Sequence, residues 1–293
     1  MIGDASPFVS VIIPVYNAQE HLPGLLTALR DQSYPASRRE IIIVDNGSTD
    51  RSVEIIQSFG SAQCLIEDSV RSSYAARDKG IGAARGEVFA FTDADAVPRP
   101  DWLEKGIECM VRHNAPRVAG AAAPVFHDPE NLCELYDSLA HLRQEHYARH
   151  GWGATVNLFV RREVFDRAGL FDGRLVSSGD REFGERAHRA GFEIRFCPEA
   201  VVRHHLRGSA REILGKARRI GKGLAQLWLL RHENPAHRLI GAALPLPLSI
   251  RFKGSGEFLR TLTLRQHIAM WGLDYVRHWA LTCGFWSYVI RRR

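Results

Sequence analysis

The first 100 residues alternate between short runs of β-branched residues and amphipathic segments, and this alternation constrains the fold more than any other feature. Four runs are strand-like: 9–15, 41–44, 64–66 and 88–91. Between the first two, four leucines recur at helical spacing, at positions 22, 25, 26 and 29, so that one face of this segment can pack on a sheet. Strands that alternate with helices predict an α/β fold with a mostly parallel sheet flanked by helices.

Charge divides the chain into two parts. Residues 1–202 carry 22 Lys and Arg against 29 Asp and Glu, whereas residues 203–293 carry 17 against 4. We therefore predict one domain at 1–206 and a helical, basic and aromatic segment at 207–293. Such a segment can attract nucleic acid, anionic lipid or a phosphorylated substrate, and charge alone does not choose among them.

Aromatic spacing in the basic segment favours contact with a membrane surface. Trp271, Trp279 and Trp286 fall close to one helical face, near the arginines at 291–293, a pattern that resembles an interfacial helix. The longest apolar run, 239–250, contains two prolines and is too short to cross a bilayer. We expect anionic lipid as a peripheral partner.

The start of the chain and its cysteines suggest an intracellular location. The opening residues MIGDASPFVS contain no basic stretch followed by an apolar core, so we expect no secretory signal. Five scattered cysteines without a CxxC pair are typical of reduced thiols. We predict a cytoplasmic protein that is peripheral on the inner face of the cell membrane.

Two aspartates follow the fourth strand-like run. Asp93 and Asp95 lie two residues apart, at the end of a strand where the loops of α/β sheets bind ligands. Alternation aims both carboxylates the same way. Paired carboxylates suit Mg²⁺ or Mn²⁺, and such an ion can bridge the phosphates of a nucleotide. An acidic turn that caps the next helix is the alternative.

Four segments together carry a resemblance to a known family. In chain order they are SVIIPVYN at 10–17, IIIVDNGSTD at 41–50, YAARDKGIGAARGEVFAFTDADAVPRPDWL at 74–103 and GDREFGERAHRAG at 179–191. Over residues 8–206 this order resembles the family 2 inverting glycosyltransferases. The resemblance implies a GT-A fold, which is a Rossmann-like α/β domain that binds a sugar nucleotide through a divalent ion.

The resemblance implies a nucleotide site at the ends of the first two strands. Pro14, Tyr16 and Asp45 end these strands, and in similar enzymes this rim holds base and ribose. Asp45 can accept the imide N–H of uracil or thymine, and Tyr16 can stack on a ring. Arg77 matches the arginine of an AARN-like segment, with Asp78 in place of asparagine, and can meet base or phosphate. The alternatives are a helix cap for Asp45, a core residue for Tyr16 and a surface arginine for Arg77.

The resemblance also implies a base, a third metal ligand and an acceptor contact. Asp180 matches the general base that removes the proton of the acceptor hydroxyl, although Gly179 stands where many relatives have a second acid, which leaves a helix cap as the alternative. His204 matches a histidine beside the metal, and its neighbour His205 leaves that choice open. Trp152 could stack on a sugar face or fill the core.

These features predict an inverting glycosyltransferase. It would move a sugar from a nucleoside diphosphate, preferably UDP with dTDP and GDP as alternatives, to a hydroxyl of a lipid-linked or cell-surface saccharide in a single displacement. Asp93, Asp95 and His204 would hold Mn²⁺ or Mg²⁺, with Asp93 also close to the ribose.

Other classes of protein fit less well. A dehydrogenase would need a GxGxxG after the first strand, and the chain has PVYNAQE there. A sugar-nucleotide pyrophosphorylase would need an early glycine-rich basic loop. A nucleic-acid-binding protein would need a recognised module around its tryptophans. The remaining alternative is a non-catalytic scaffold of the same fold that binds a sugar nucleotide or a membrane, and Gly179 is its only support.

Overall fold

The computed structural model describes residues 6–140, 142–231 and 262–291. These residues form two compact units. The sheet unit comprises residues 6–123, 142–174 and 179–204, and the helical unit comprises residues 124–140, 175–178, 205–231 and 262–291.

The chain alternates strands and helices through its first half, as its hydrophobic pattern predicts. The strands are β1 (Val9–Val15), β2 (Arg39–Asp45), β3 (Gln63–Ile66), β4 (Val88–Thr92), β5 (Ala96–Pro98), β6 (Arg117–Val125), β7 (Asn157–Arg161) and β8 (Ile194–His205). The helices are α1 (Leu22–Arg30), α2 (Ser52–Phe59), α3 (Ser73–Ala83), α4 (Trp102–Arg112), α5 (Leu132–Ala140), α6 (Gln144–Arg149), α7 (Arg162–Ala168), α8 (Gly179–Arg189), α9 (Ala210–Arg231) and α10 (Leu264–Arg291).

The strands form a mixed sheet in the order β3-β2-β1-β4-β7-β6-β8-β5. Strands β1 to β4, which coincide with the four strand-like runs of the sequence, pair in parallel, whereas β7 is antiparallel to both β4 and β6 and β5 is antiparallel to β8. The carboxyl ends of β1, β2 and β4 therefore meet at one edge. Asn157, the first residue of β7, lies opposite Thr92 at that edge. The predicted α/β fold with flanking helices is confirmed.

Helices α1 and α3 cover the sheet. The four leucines of α1 are buried at 4% exposure or less, as their spacing predicts. On α3, Gly80 faces Ile12 of β1 so closely that a Cβ atom there would lie 2.6 Å from the Ile12 side chain. The missing side chain lets α3 lie directly on the sheet, and this close approach brings the polar residues of α3 to the carboxyl edge.

Helices α5, α9 and α10 build the helical unit. Ala225 of α9 packs with Phe285 and Val289 of α10 in one apolar cluster. Between α5 and α10, the buried hydroxyl of Tyr136 donates to Asp274 Oδ1 at 2.6 Å. A buried hydrogen bond to a carboxylate is stronger than a neutral one, so this contact fixes α10 against α5.

Two sequence predictions concern the part of the chain after residue 206. The apolar run at 239–250 and Arg292 and Arg293 lie outside the described residues. Among the described helices, none is both long enough and apolar enough to cross a bilayer. A domain boundary between residues 206 and 207 stays a prediction.

Asp78 links α3 to the segment that precedes α8. Its Oδ1 accepts the backbone N–H of Phe171 at 3.0 Å. Burial raises the pKa of Asp78 to about 7, since desolvation disfavours a carboxylate. The folded chain thus keeps a proton on Asp78 between about pH 4 and 7 where the unfolded chain has lost it, so that stability falls as the pH rises through this window.

We expect Asp78→Asn to remove this pH dependence, because the amide oxygen still accepts the Phe171 N–H and carries no charge. At pH 8 the free energy of unfolding should exceed that of the parent chain by about 1 kcal/mol, with little difference at pH 4. Urea unfolding at both pH values measures the change. Asp166→Asn, at an exposed aspartate of α7, is the matched control, and an equal gain in that variant would contradict the assignment to Asp78.

Candidate active site

The carboxyl ends of β1 and β2 form a rim that carries three predicted nucleotide residues. Pro14 lies in β1, and the next residue, Val15, lies opposite Asp45 of β2. Tyr16 follows β1 with 50% of its surface exposed. The guanidinium of Arg71 lies 5.3 Å from the centre of the Tyr16 ring, so a cation covers one face of this ring. The sequence did not single out Arg71, because only the fold brings residue 71 to residue 16.

The two oxygens of the Asp45 carboxylate have different surroundings. Oδ2 accepts the backbone N–H groups of Gly47 and Ser48, each at 3.0 Å. Oδ1 is buried and has no hydrogen-bond partner among the described residues. A buried carboxylate oxygen without a donor costs free energy. One oxygen therefore organises the turn after β2, and the other lacks a donor such as the ring N–H of a nucleobase.

An ion pair between a buried arginine and a partly exposed aspartate lies next to this rim. Arg77 of α3 has a side chain that is 3% exposed, and its Nη2 lies 2.5 Å from Asp93 Oδ1. Its Nη1 donates to the carbonyl of Ser73 at 3.2 Å, whereas Nε has no partner within the described part of the chain. Arg77 is therefore not a surface arginine, and its planar fork has the geometry that suits a carboxylate or a phosphate.

The turn after β4 brings a second pair of predicted ligands together. Strand β5 pairs with β8 so that Ala96 lies opposite His204, and His204 Nε2 lies 3.5 Å from Asp95 Oδ2. The adjacent His205 belongs to the helical unit, where its ring stacks on that of His127 at 4.8 Å. Of the two histidines, His204 is the one that the sheet unit places beside Asp95.

The predicted metal ligands form two pairs instead of one cluster. Asp93 pairs with Arg77, while Asp95 meets His204. Among the described residues no three His, Cys, Asp or Glu side chains converge as a metal site. A carboxylate and an imidazole nevertheless fit a divalent ion such as Mn²⁺. An ion held there would complete its coordination with phosphate oxygens and water.

Asp180 lies in the first turn of α8, close to this ion pair. Burial raises the pKa of its carboxyl group, Arg77 opposes that shift and Asp93 adds to it. Tyr74 of α3 lies beside the start of α8, where burial and the charge of Asp180 raise the pKa of its hydroxyl. A Cβ atom on Gly179 would lie 2.7 Å from the Tyr74 ring, so glycine replaces the second acid because the ring occupies its space.

Trp152 packs against α8 at Gly184, one turn after Asp180 and on the same face of the helix. Its ring stacks on Tyr147 with 4.0 Å between the ring centres, and its Cβ packs against Gly184 of α8. Nearby, the buried guanidinium of Arg117 donates to the carbonyls of Gly151 and Gly184, both at 3.0 Å. Burial lowers the pKa of Arg117 to about 10. One face of Trp152 is thus used in packing. The sequence did not single out Arg117, which holds the loop that carries Trp152.

Comparisons with known proteins agree with this architecture. The family model described as "Glycosyl transferase family 2" matches residues 10–161. "Glycosyltransferase AglE" of Haloferax volcanii is 38% identical over 229 residues, which cover 76% of this chain and 75% of that protein. A Methanococcus voltae protein named "Dolichyl N-acetyl-alpha-D-glucosaminyl phosphate 3-beta-D-2,3-diacetamido-2,3-dideoxy-beta-D-glucuronosyltransferase" is 25% identical over 241 residues, which cover 76% of this chain and 74% of that protein.

A solved structure supports the fold independently of sequence. The mannosyltransferase PcManGT from Pyrobaculum calidifontis, in complex with GDP-Man and Mn²⁺, superposes with a TM-score of 0.67 at 18% sequence identity, covering 99% of this chain and 89% of that one. At this identity the likeness concerns the fold alone. Together with the match of the family model to more than half of the chain, it leads to one conclusion: the chain belongs to glycosyl transferase family 2 and is a glycosyltransferase of the GT-A type.

Proposed function

We propose that this glycosyltransferase moves a sugar from a nucleoside diphosphate to a hydroxyl of a lipid-linked saccharide, with inversion at the anomeric carbon. One observation carries the proposal. Within the three residues that follow β4, Asp93 meets a buried arginine and Asp95 meets a histidine. An arginine beside a pair of metal-binding side chains is the combination that binds a diphosphate and stabilises its departure.

The nucleotide would lie along the carboxyl edge of the sheet. Its base would stack on Tyr16 and donate a ring N–H to Asp45 Oδ1, the oxygen that lacks a donor. Pro14 would border the base, and Arg77 would contact the phosphates through its unpartnered Nε. Asp45 can accept from uracil, thymine or guanine, and UDP is the nucleotide we put first. The GDP-Man complex of PcManGT supports GDP as the competitor.

Asp95 and His204 would hold the divalent ion, with Asp93 close to it in the same turn. When bound, Mn²⁺ or Mg²⁺ neutralises the charge that develops on the departing diphosphate. The Mn²⁺ in the PcManGT complex supports this choice of ion. Asp93 would also lie near the ribose, while its contact with Arg77 orients both side chains.

Asp180 would act as the general base. Its carboxylate would remove the proton of the acceptor hydroxyl while that oxygen attacks the anomeric carbon opposite the leaving diphosphate. The raised pKa of Asp180 supports this role, because a base needs enough proton affinity to take up the proton near neutral pH. One base and no carboxylate nucleophile imply a single displacement with inversion. Trp152 would border the acceptor sugar.

The helical unit supports a lipid-linked acceptor. Six large apolar residues of α10 are 41% to 77% exposed and recur along one face of the helix: Leu264, Ile268, Trp271, Trp279, Trp286 and Ile290. Exposed basic residues occur on α9 of the same unit: Arg211, Arg218, Arg219 and Lys222. Exposed aromatic and basic side chains favour the interface of an anionic bilayer. We propose that segment 207–293 rests on the inner face of the cell membrane.

The name of the Methanococcus voltae relative contains a dolichyl-linked sugar phosphate. It supports a lipid-linked saccharide that carries a phosphate as the acceptor class of this chain.

Titration of UDP, dTDP and GDP with and without Mn²⁺ tests the donor site by calorimetry. We expect one nucleotide to bind only with the ion, and Asp95→Ala to weaken that binding at least tenfold, because a hard ligand of the ion is lost. Asp166→Ala is the control, since it removes an exposed aspartate of α7. Absence of ion-dependent binding for all three nucleotides would refute the proposed donor site.

Asp180→Asn should separate binding from turnover. The amide has almost the shape of the carboxylate but cannot accept the proton, so we expect transfer to slow by roughly 10²- to 10⁴-fold with unchanged affinity for nucleotide and Mn²⁺. The transfer rate is measured as release of the nucleoside diphosphate in single-turnover mixtures. Full activity in the variant would exclude Asp180 as the base, and a parent chain that binds nucleotide without any turnover would favour a scaffold.

The membrane proposal predicts binding to anionic vesicles. Replacement of Trp271 and Trp279 by Ser should weaken partition into vesicles of anionic phospholipid at least tenfold, since two half-exposed apolar side chains are lost. Co-flotation measures the bound fraction, and Val111→Ser, at a 64% exposed valine of α4, is the control. Equal binding of the double variant, or no binding of the parent chain, would contradict the proposal.

A further inference from the structure

A cavity of about 350 Å³ opens in the sheet unit, away from the residues assigned to the nucleotide. Its floor comes from β6 and β8 and its wall from the first residues of α6. The lining residues are Ala121, Ala122, Leu142, Arg143, Gln144, Glu145, His146, Arg149 and Phe196. The floor is small and apolar, whereas the wall carries two arginines and a histidine against one carboxylate, that of Glu145.

The wall presents positive charge that the protein does not fully neutralise. Arg149 Nη2 lies 2.5 Å from Glu145 and is paired. Arg143 is exposed, and within the described part of the chain it has no ion-pair or hydrogen-bond partner on its side chain. The pKa of His146 is lowered by burial, and also by His150 and the two arginines. The contributions of His150 and the two arginines reflect positive charge around the His146 ring.

The cavity is connected rigidly to the candidate active site. Gln144 of α6 is buried and donates to the carbonyls of Ala154 and Asn157 at 3.0 and 2.9 Å. Asn157 in turn donates to the carbonyl of Ala121 in the cavity floor at 2.8 Å and lies opposite Thr92, the residue before Asp93. One asparagine therefore joins wall and floor to the strand that carries the metal-binding turn.

We propose that this cavity binds the phosphate group of the acceptor, with Arg143 as its main partner and His146 as a second donor. This inference rests on the proposed transfer to a saccharide that carries a phosphate. An uncompensated guanidinium beside an imidazole matches a phosphate by charge and by hydrogen-bond geometry, and the small apolar floor leaves room for the ester substituent. In the proposed function the diphosphate of the donor contacts Arg77, so the two anions would bind at separate sites.

The imidazole signal of His146, assigned with His146→Gln, provides a readout that needs no turnover. Inorganic phosphate should raise the pKa of His146 in an NMR titration, because a bound anion favours the imidazolium. Arg143→Gln should weaken phosphate binding about tenfold, the effect of one charge-assisted hydrogen bond. Arg195→Gln is the matched control, since Arg195 precedes Phe196 on β8 and points to the opposite face.

A comparison of acceptors with and without a phosphate tests whether the phosphate bound in the cavity is that of the acceptor or free inorganic phosphate. In a transfer assay, the preference for a prenyl-phosphate-linked saccharide over the same saccharide without phosphate should fall about tenfold in Arg143→Gln and remain in Arg195→Gln. An unchanged preference, or a His146 signal that responds to inorganic phosphate but not to the phosphate-linked saccharide, would overturn the assignment.

The same samples separate this inference from the proposed function. Nucleotide binding without any response of His146 to phosphate would overturn the acceptor-phosphate site and leave the donor site standing. A response of His146 without any nucleotide binding would refute the proposed transfer, and the acceptor assignment with it.

Discussion

The side-chain amide of Asn157 holds together the elements on which the site depends. It is fully buried, its Nδ2 donates to the carbonyls of Ala121 and Ala200 at 2.8 and 2.9 Å, and its Oδ1 accepts the indole N–H of Trp102 at 2.8 Å. One side chain thus joins β6, β8 and α4 to the start of β7. In a low-dielectric interior an unpaired amide would cost more than any single bond contributes. Since β7 pairs with β4, these bonds also fix the position of the turn after Thr92.

The polar residues at the carboxyl edge are positioned by pairs in which one partner is buried, which restricts what they can do. Arg77 is too deeply buried to remain without an anion, so it holds Asp93 on the α3 side of the turn. Asp95 is then left on the side of β8, where His204 lies. A turn of three residues therefore separates a cationic half from a half that can hold a metal ion. This division suits a diphosphate, which needs both a fixed cation and a metal ion as it leaves.

The sequence predicted the parallel half of the sheet well because each of its strands is a continuous apolar run. The segment that forms β6, RVAGAAAPV, gave no such signal, since small residues carry neither helical nor strand periodicity, and β5 is only three residues long. The candidate site could be predicted where residues end a strand, as Asp45 does, or directly follow one, as Asp93 does. Arg71, Arg117 and Asn157 act through contacts distant in sequence. Residues 124–140 belong to the same unit as the helices after residue 205. This grouping also depends on contacts distant in sequence, so local patterns did not predict it.

Helix α3 connects the Arg77–Asp93 pair to Asp180, the proposed base. Tyr74, Arg77 and Asp78 are spaced i, i+3 and i+4 and so share one face. The Tyr74 ring packs against Gly179 at the start of α8, Arg77 pairs with Asp93, and Asp78 holds the backbone of Phe171. Because one helix makes all three contacts, the distance between Arg77 and Asp180 is set by the sheet unit itself. The glycine before Asp180 is then a consequence of that arrangement, since the Tyr74 ring that fixes α8 fills the volume of a side chain there.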